Sequence, residues 1–573
     1  MDFEKLVKVY EELEKTPSGN KMREILAEFF KTVPKDDIRL VSYLMLGQIA
    51  SDYESVVLGL AEKSVLKAIS VAGGAESLRV KKLMQTSGDV GLVAEEILKK
   101  KPMTLIPLGK LTIHELDEKL HKVANLSGSG SADQRTNIIA GMLQKSSSSG
   151  AKYLARISLG TLRMGVASKT ILDALSIAFT GDKKSKSILE TAYNICPDIG
   201  IIAETLAKEG IKKVSQVKVK VGRPIQMMLG QRVKSLDEAL EKIPGELTVE
   251  AKYDGERIQA HRNKEGKVSL FSRRLDNITN QFPDLVEHLN KAIKEKEFIL
   301  EGEVIAIDKK GEPLPFQILM QRRRKYDVTE YVKKIPIQLK VFDLLYLNGK
   351  SWLDEPYYKR SEQLSKIVKK DSEVVLTERI LTNKVSDIEE FFQKMLKSGY
   401  EGIFIKSRAE DSVYQAGVRG WNWIKWKKEY VKEMVDTLDL VIVGAFYGKG
   451  KRSGNYGALL CAAYNPDKDQ FETLCKLGTG LTDEVLEELP KKLKKHKIEK
   501  KPARLVIKKE MIPDVWFSPF LVVEVFGAEF TKSPYHTCAS GLALRFPRFL
   551  RFREEKSAEQ STTSEEVEQL YGK

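Results

Sequence analysis

Cysteine is scarce in this chain. Four thiols in 573 residues (Cys196, Cys461, Cys475 and Cys538) stand without a C-x2-C pair. That excludes a disulfide scaffold and a cysteine-built zinc site, and makes a reducing, cytoplasmic setting the expectation, nucleoid-associated in a prokaryote. Histidine is nearly as rare, with six residues and no H-E-x-x-H or close cluster, and G-x-S-x-G is missing too. Metalloproteases and serine hydrolases are poor candidates on that ground. Long apolar runs are also missing: Leu440–Phe446 and Phe520–Val523 fall far short of the roughly 20 residues that span a bilayer. The N-terminus, Met1-Asp2-Phe3-Glu4-Lys5, begins with charge rather than with the apolar core of a signal peptide. No membrane partner is expected, and no repeat of solenoid period is present.

What the chain has is positive charge. Lys and Arg total 95 against 80 Asp and Glu, a formal net charge of +15. A surplus of that size favours a polyanionic partner, against the blander reading of a solvated Lys/Glu surface. With 42% hydrophobic residues the chain can bury several cores, and its length suggests about three or four domains.

Three regions differ in pattern. Residues 1 to about 215 carry apolar residues at helical spacing (Leu6, Val9, Tyr10, Leu13), broken at Pro17-Ser18-Gly19, Ser127–Ser131 and Ser146–Gly150. From about 245 to 430, short alternating strands mix with amphipathic helices. From about 435 to 560 the chain is rich in β-branched and aromatic residues with glycine turns, and a polar tail suggests a short terminal helix. Gly222-Arg223-Pro224 and Lys427–Glu433 are the candidate boundaries. In the helical part Lys152, Arg156 and Arg163, spaced by 4 and 7, are expected to share an outward helix face, with Leu154, Ile157 and Thr161 opposite. Ser168 is expected to cap the next helix. Such a basic face could rest on phosphates; standing alone, a solvated charged face is the simpler account.

The chemistry concentrates in the middle region. Neither Asn348-Gly349-Lys350-Ser351 nor Gly448–Gly454 completes a phosphate loop, because Leu344 and Ser453 stand where glycines are required. In Leu247–Arg257, by contrast, strand alternation ends in Lys252, with Asp254-Gly255 forming a turn and Arg257 just beyond it. A lysine is a poor nucleophile near neutrality, its ordinary pKa being about 10.4. Neighbouring cations or a metal ion can free the amine. Glu301 and Glu303 share a face of an otherwise apolar strand, which suggests a divalent-cation site. Phe342 lies on a strand; Glu401-Gly402 and Lys406 bracket an apolar run; Lys425 and Lys427 share a face. Two ammonium groups aimed into one cleft are costly without an anion between them.

These residues carry a resemblance. Lys252-Tyr253-Asp254-Gly255-Glu256-Arg257 resembles the K-x-D-G-x-R signature of covalent nucleotidyltransferases, which include DNA ligases, RNA ligases and mRNA-capping enzymes. Ser272-Arg273, Glu301-Gly302-Glu303, Phe342, Glu401-Gly402, Lys425-x-Lys427 and Arg553-Glu554-Glu555-Lys556 follow in family order over about 300 residues. Arg163-Met164-Gly165-Val166, Ile171–Leu175 and Leu544-Arg545-Phe546-Pro547-Arg548-Phe549 look like the ATP-dependent DNA ligases of archaea and of the eukaryotic replicative type. The resemblance covers nearly the whole chain.

It implies a multidomain α+β protein. An all-helical DNA-binding domain would span 1–222, an α+β adenylyltransferase domain (ATP-grasp-like nucleotidyltransferase) 223–428, and a β-barrel OB-fold domain with a short C-terminal helix 429–573. The implied reaction seals nicked duplex DNA with ATP and Mg²⁺, or Mn²⁺. By resemblance Lys252 is the nucleophile, Glu250 reads the adenine amine, and Phe342 stacks on the base. Arg257 and Arg273 contact the nucleotide and the DNA-phosphate side. Glu303 and Glu401 hold the metal or the ribose, while Arg419, Lys425 and Lys427 meet the phosphate. Arg553 and Lys556 orient the leaving pyrophosphate, after a rotation hinged near Lys427–Glu433. Lys152, Arg156, Arg163 and Arg548 are the candidate DNA contacts. A monomer is expected. The last motif has Glu555 where the family has Asp, and Gln226-Met227-Met228 replaces a second linker proline. Met103-Thr104-Leu105-Ile106 stands where relatives carry a sliding-clamp peptide, without its glutamine or aromatic pair. An RNA ligase or capping enzyme shares the lysine motif but lacks so long a helical preamble; a catalytically dead scaffold would have lost one of Lys252, Glu303, Glu401 or Lys425.

Overall fold

The structure is a computed structural model. It describes every residue except 17, 103–108, 163, 165, 182–183, 234, 323–327, 370–372, 428–436, 449–454, 528 and 573, and the side chains of 86, 232 and 572. The chain forms two compact units: Met1–Ser77 with Ala94–Lys428, and Leu78–Val93 with Glu429–Lys573.

Up to Val214 the regular elements among the described residues are helices. Their apolar stripes (Phe3, Leu6 and Tyr10 on the first, Leu26 and Phe30 on the second, Ile171 and Leu175 on Ser168–Thr180) are buried, as the spacing requires. Several starts are capped by side chains: Ser18 accepts from the Lys21 amide, Thr112 from Glu115, Ser147 from Gly150 and Asp198 from Ile201. Ser168 is instead the first helical residue, after an Ala167 cap; its hydroxyl accepts from Tyr193, so that expectation fails.

The middle region holds two sheets. One is built from β1 (Leu229–Arg232), β2 (Leu247–Lys252), β9 (Arg379–Thr382), β10 (Gly402–Ser407) and β11 (Arg419–Lys427), in the order β1-β11-β10-β2-β9. The other is built from β3 (Glu256–Arg262), β4 (Val268–Ser272), β5 (Phe298–Ala306), β6 (Ile337–Leu347) and β7 (Lys350–Ser351). Its order is β4-β3-β5-β6-β7, and β8 (Val374–Leu376) pairs with β6. Helices Pro283–Ala292 and Tyr357–Ile367 bury Leu285, Leu289 and Leu364 against one face of this second sheet. The segment entering from the helical part is stitched onto it. The Gln259 side chain accepts from Ile225 N and donates to Ile225 O, and the Gly222 amide donates to His261.

Among its described residues the C-terminal unit carries an eight-stranded, mainly antiparallel sheet and the short hairpin Glu529–Lys532/Leu542–Arg545. Its core holds Leu440, Ile442, Cys461, Cys475, Leu489 and Phe517. The chain ends in helix Ser564–Gly572, as the polar tail suggested.

Candidate active site

The K-x-D-G-x-R segment crosses from one sheet to the other. β2 ends at Lys252 and β3 begins at Glu256, so Tyr253-Asp254-Gly255 is the turn that joins them. Glycine is required by a close approach: a Cβ at Gly255 would stand 2.2 Å from the Val304 carbonyl oxygen and 2.9 Å from Glu303 Cγ.

A cavity of about 360 Å³ opens between the sheets. Glu250 and Lys252 reach it from β2, Arg257 from β3, Arg273 from just past β4, Glu303 from β5 and Phe342 from β6. Arg419, Lys425 and Lys427 reach it from β11. Aromatic walls come from Phe342, Phe404 and Trp423. The structure therefore brings the residues expected on the base and on the α-phosphate side to one place, and adds Lys406.

Glu401 lies between the lysines. Its backbone N–H donates to the Lys252 carbonyl at 2.9 Å, and its carboxylate accepts from the ammonium groups of both Lys252 and Lys427. The register explains this, since Gly402 pairs with Lys252 on one side and with Lys427 on the other. Gly402 has φ +153°, and a Cβ there would lie 2.2 Å from the Trp426 carbonyl oxygen. Glu401 was expected on the metal or ribose; here it supplies the anion that two neighbouring ammonium groups require.

Glu303 stands apart from those pairs. Burial pushes its pKa up to about 7, with Asp254 and Glu256 adding to the rise and Lys252 and Arg257 opposing it. Glu301, read from the sequence as its partner in a cation site, is fully buried. It accepts from Arg257 Nη2 at 2.7 Å and Gln259 Nε2 at 3.0 Å. Its charge is spent on Arg257, which also donates to the Met228 carbonyl and lies 5.4 Å from the ring centroids of Phe342 and Trp423. Among the described residues no three His, Cys, Asp or Glu side chains group to hold a metal by themselves. Asp254 and Glu256 nonetheless crowd Glu303 with like charge, which a bound cation would relieve. The donor set fits a hard divalent ion that draws its other ligands from phosphate and water.

Glu250 is 2% exposed and both its oxygens are engaged. Oε1 accepts from the Tyr357 hydroxyl, and Oε2 lies 2.6 Å from Lys406 Nζ. Sequence reasoning singled out Lys406 only as a charge ending an apolar strand. Its 1% exposure and its place on the pocket wall are set by the pairing of β10 with β2, which no local pattern reveals.

The remaining expectations meet different fates. Arg553 and Lys556 lie together in the C-terminal unit, both bonded to Asp439, with Arg553 Nη1 at 3.0 Å and Lys556 Nζ at 2.6 Å. Arg548 is exposed on strand Arg548–Phe552. Lys152 and Arg156 do not form an outer face. Their helix, Ser148–Ser158, is buried almost all round, and Arg156 is 5% exposed. Lys152 and Arg156 turn onto Glu14 at 2.5 and 3.0 Å. Thr161 is exposed rather than inward, because the helix stops at Ser158. Arg163, the clamp-peptide segment Met103–Ile106 and the hinge after Lys427 lie outside the described residues.

Comparisons with known proteins identify the family. Residues 2–176 match the DNA ligase N terminus model, 227–427 the ATP dependent DNA ligase domain, and 452–556 the ATP dependent DNA ligase C terminal region. DNA ligase 2 of Thermofilum pendens is 44% identical, with 100% of this chain and 97% of that protein covered. The DNA ligase of Saccharolobus solfataricus is 42% identical, covering 100% and 98%. The solved chain Pmar-Lig_PreS3 shares the fold at TM-score 0.54 and 19% identity, over 96% of this chain and 99% of that one. The chain belongs to the ATP-dependent DNA ligases, with archaeal ligases among its full-length relatives. Its architecture is theirs: a helical N-terminal domain, an adenylation domain and a C-terminal OB-fold domain. The family uses ATP and a divalent metal and acts on nicked DNA.

Proposed function

We propose that this chain seals nicks in duplex DNA by three successive transfers at Lys252, in replication, repair and recombination. The observation that carries the reading is the single cavity in which the Lys252 amine meets an aromatic wall with a buried acid and a set of cations. Phosphoryl transfer is largely positioning and charge neutralisation, and those are the groups it requires.

In the first transfer the ammonium of Lys252 gives up a proton, for which Glu401 is in contact. The free amine then attacks the α-phosphorus of ATP. The N–P bond forms as the bond from Pα to its bridging oxygen breaks, pyrophosphate leaves, and the nitrogen loses a second proton to water. Phe342 and Glu250 hold the base, while Arg273, Arg419, Lys425 and Lys427 hold the phosphates. Arg257 is the fixed cation of the wall. Glu303, with Glu401 once its lysines engage phosphate, would hold Mg²⁺, or Mn²⁺ in its place. The ion supplies charge neutralisation at the phosphates.

In the second transfer the 5′-phosphate oxygen of the nick attacks the AMP phosphorus and Lys252 leaves, recovering its proton. In the third, the 3′-hydroxyl oxygen attacks the 5′-phosphorus, its proton is released and AMP departs. Arg553 and Lys556 serve the pyrophosphate in the first step only, so the C-terminal unit changes position between steps. Nicked DNA is held through phosphates, Arg548 among the contacts, because a ligase accepts any sequence. The enzyme acts as a monomer in the cytoplasm, nucleoid-associated in a prokaryotic cell. A degenerate segment at Met103–Ile106 is the candidate clamp contact.

Sealing of a nicked, end-labelled duplex tests the reading. Product should require ATP and a divalent ion and vanish in Lys252→Ala. Sealing by that variant, or sealing without nucleotide by protein first stripped of bound AMP, would overturn it.

A further inference from the structure

Lys406 is a buried ammonium that the three transfers leave without a role. Its Nζ lies 2.6 Å from Glu250 Oε2 and 4.2, 4.5 and 4.9 Å from the ring centroids of Trp423, Tyr357 and Phe342. Three rings and one carboxylate thus surround a cation on the wall of the nucleotide cavity. Burial lowers its pKa; Glu250 and Asp343 oppose that shift and Arg257 adds to it. An ion pair in such a place is rarely a net gain over apolar packing of the same volume, so its presence calls for a use other than stability.

The pairing dictates what Glu250 can do. Tyr357 donates to Oε1 and the Lys406 ammonium lies against Oε2, so both oxygens are held in place. A fixed carboxylate only accepts hydrogen bonds. It welcomes an amino group and repels a carbonyl oxygen.

We propose that Lys406 is a specificity-determining residue of the nucleotide pocket. By pinning Glu250 as a fixed anionic acceptor, it makes the site select purines bearing an amine at position six over those bearing an oxo group. The inference rests on the reading of Lys252 as the group that takes up the nucleotide. A pocket built around a specific buried donor–acceptor match can reject the mismatched analogue by about 10⁴-fold, whereas an apolar pocket cannot. Lys406 is thus a positioning residue for Glu250.

The test compares ATP with inosine triphosphate, which carries oxygen in place of the six-amine and a proton on the adjacent N1. Label transfer to the full-length protein is followed with each triphosphate labelled at the α-phosphate. In Lys406→Met the expected result is a KM for ATP raised about tenfold or more and a maximal labelling rate within a few-fold of the parent. The ratio of kcat/KM for inosine triphosphate to that for ATP should rise at least tenfold. Glu250→Gln should raise the ratio similarly, and Glu250→Gln/Lys406→Met no further than either change alone, because the two side chains act as one unit. The double variant removes both charges together and keeps the test open should the single change fail to fold. An unchanged ratio in Lys406→Met and in the double variant, or strictly additive effects of the two substitutions, would overturn the proposal. Loss of label in Lys252→Ala is a separate outcome: if that variant still labels, the reaction assignment fails whatever the base preference.

Discussion

The carboxylate of Glu401 accepts a hydrogen bond from the ammonium of Lys252, two positions placed side by side by the pairing of β10 with β2 although 149 residues separate them. The pair links the candidate nucleophile to a group able to take its proton, and Lys427 shares the same carboxylate. Glu401→Gln keeps the size and loses the charge. It should slow self-adenylylation by about 10²-fold, the usual scale for a positioned acid–base group. Single-turnover labelling at saturating ATP measures this; a rate within twofold of the parent would contradict the assignment.

Gly402 is the backbone device behind that contact. Gly402→Ala would set a methyl group 2.2 Å from the Trp426 carbonyl oxygen at φ +153°. Strain of this kind costs about 1–3 kcal/mol. The expected result is a melting temperature lower by several degrees for the unit containing the site, with slower adenylylation. Unchanged melting would show that the sheet accommodates the methyl group.

Phe342 offers its ring to the cavity beside Arg257 and Lys406. Phe342→Ala removes a stacking surface worth about 1–3 kcal/mol. KM for ATP should rise roughly ten- to a hundredfold, with a smaller change in the maximal rate. Steady-state labelling against ATP concentration separates the two.

Glu14 binds Lys152, Arg156 and Tyr153. Burial raises its pKa, but the hydrogen bonds from those three side chains outweigh it, and the net shift is downward. A carboxylate whose folded pKa is depressed adds stability that is complete above its unfolded value, about 4.3. That stability is lost as pH falls through the folded value. The parent should therefore lose stability below about pH 5 more steeply than Glu14→Gln, and melting curves from pH 7 down to 3 check this. The same geometry makes Arg156→Ala chiefly a stability change. Arg548→Ala, on an exposed strand, should instead weaken nicked-DNA binding and reduce its salt slope by about 1.

Much of the site was legible in the sequence because its parts are local. Lys252, Asp254-Gly255 and Arg257 announce a strand, a turn and a second strand, and the turn glycine answers to the Val304 carbonyl beside it. What the sequence hid is long-range pairing. Lys406 reads as the end of an apolar strand until β10 is laid against β2, where it becomes the partner of Glu250. Glu301 reads as a companion of Glu303 until Arg257 is found on it. Helical spacing grouped Lys152 with Arg156, correctly, on one face. Periodicity tells which residues share a face and not whether that face meets solvent, and here it meets Glu14.

The central claim is that the Lys252 amine carries the nucleotide. Incubation with ATP labelled at the α-phosphate and a divalent ion, followed by denaturing electrophoresis, tests it directly beside Lys252→Ala. The account predicts a protein-bound label that survives denaturation, is released by acid and not by base, is absent from the variant, and is discharged by nicked duplex. A label retained in Lys252→Ala, or no label from ATP in the parent, would contradict it.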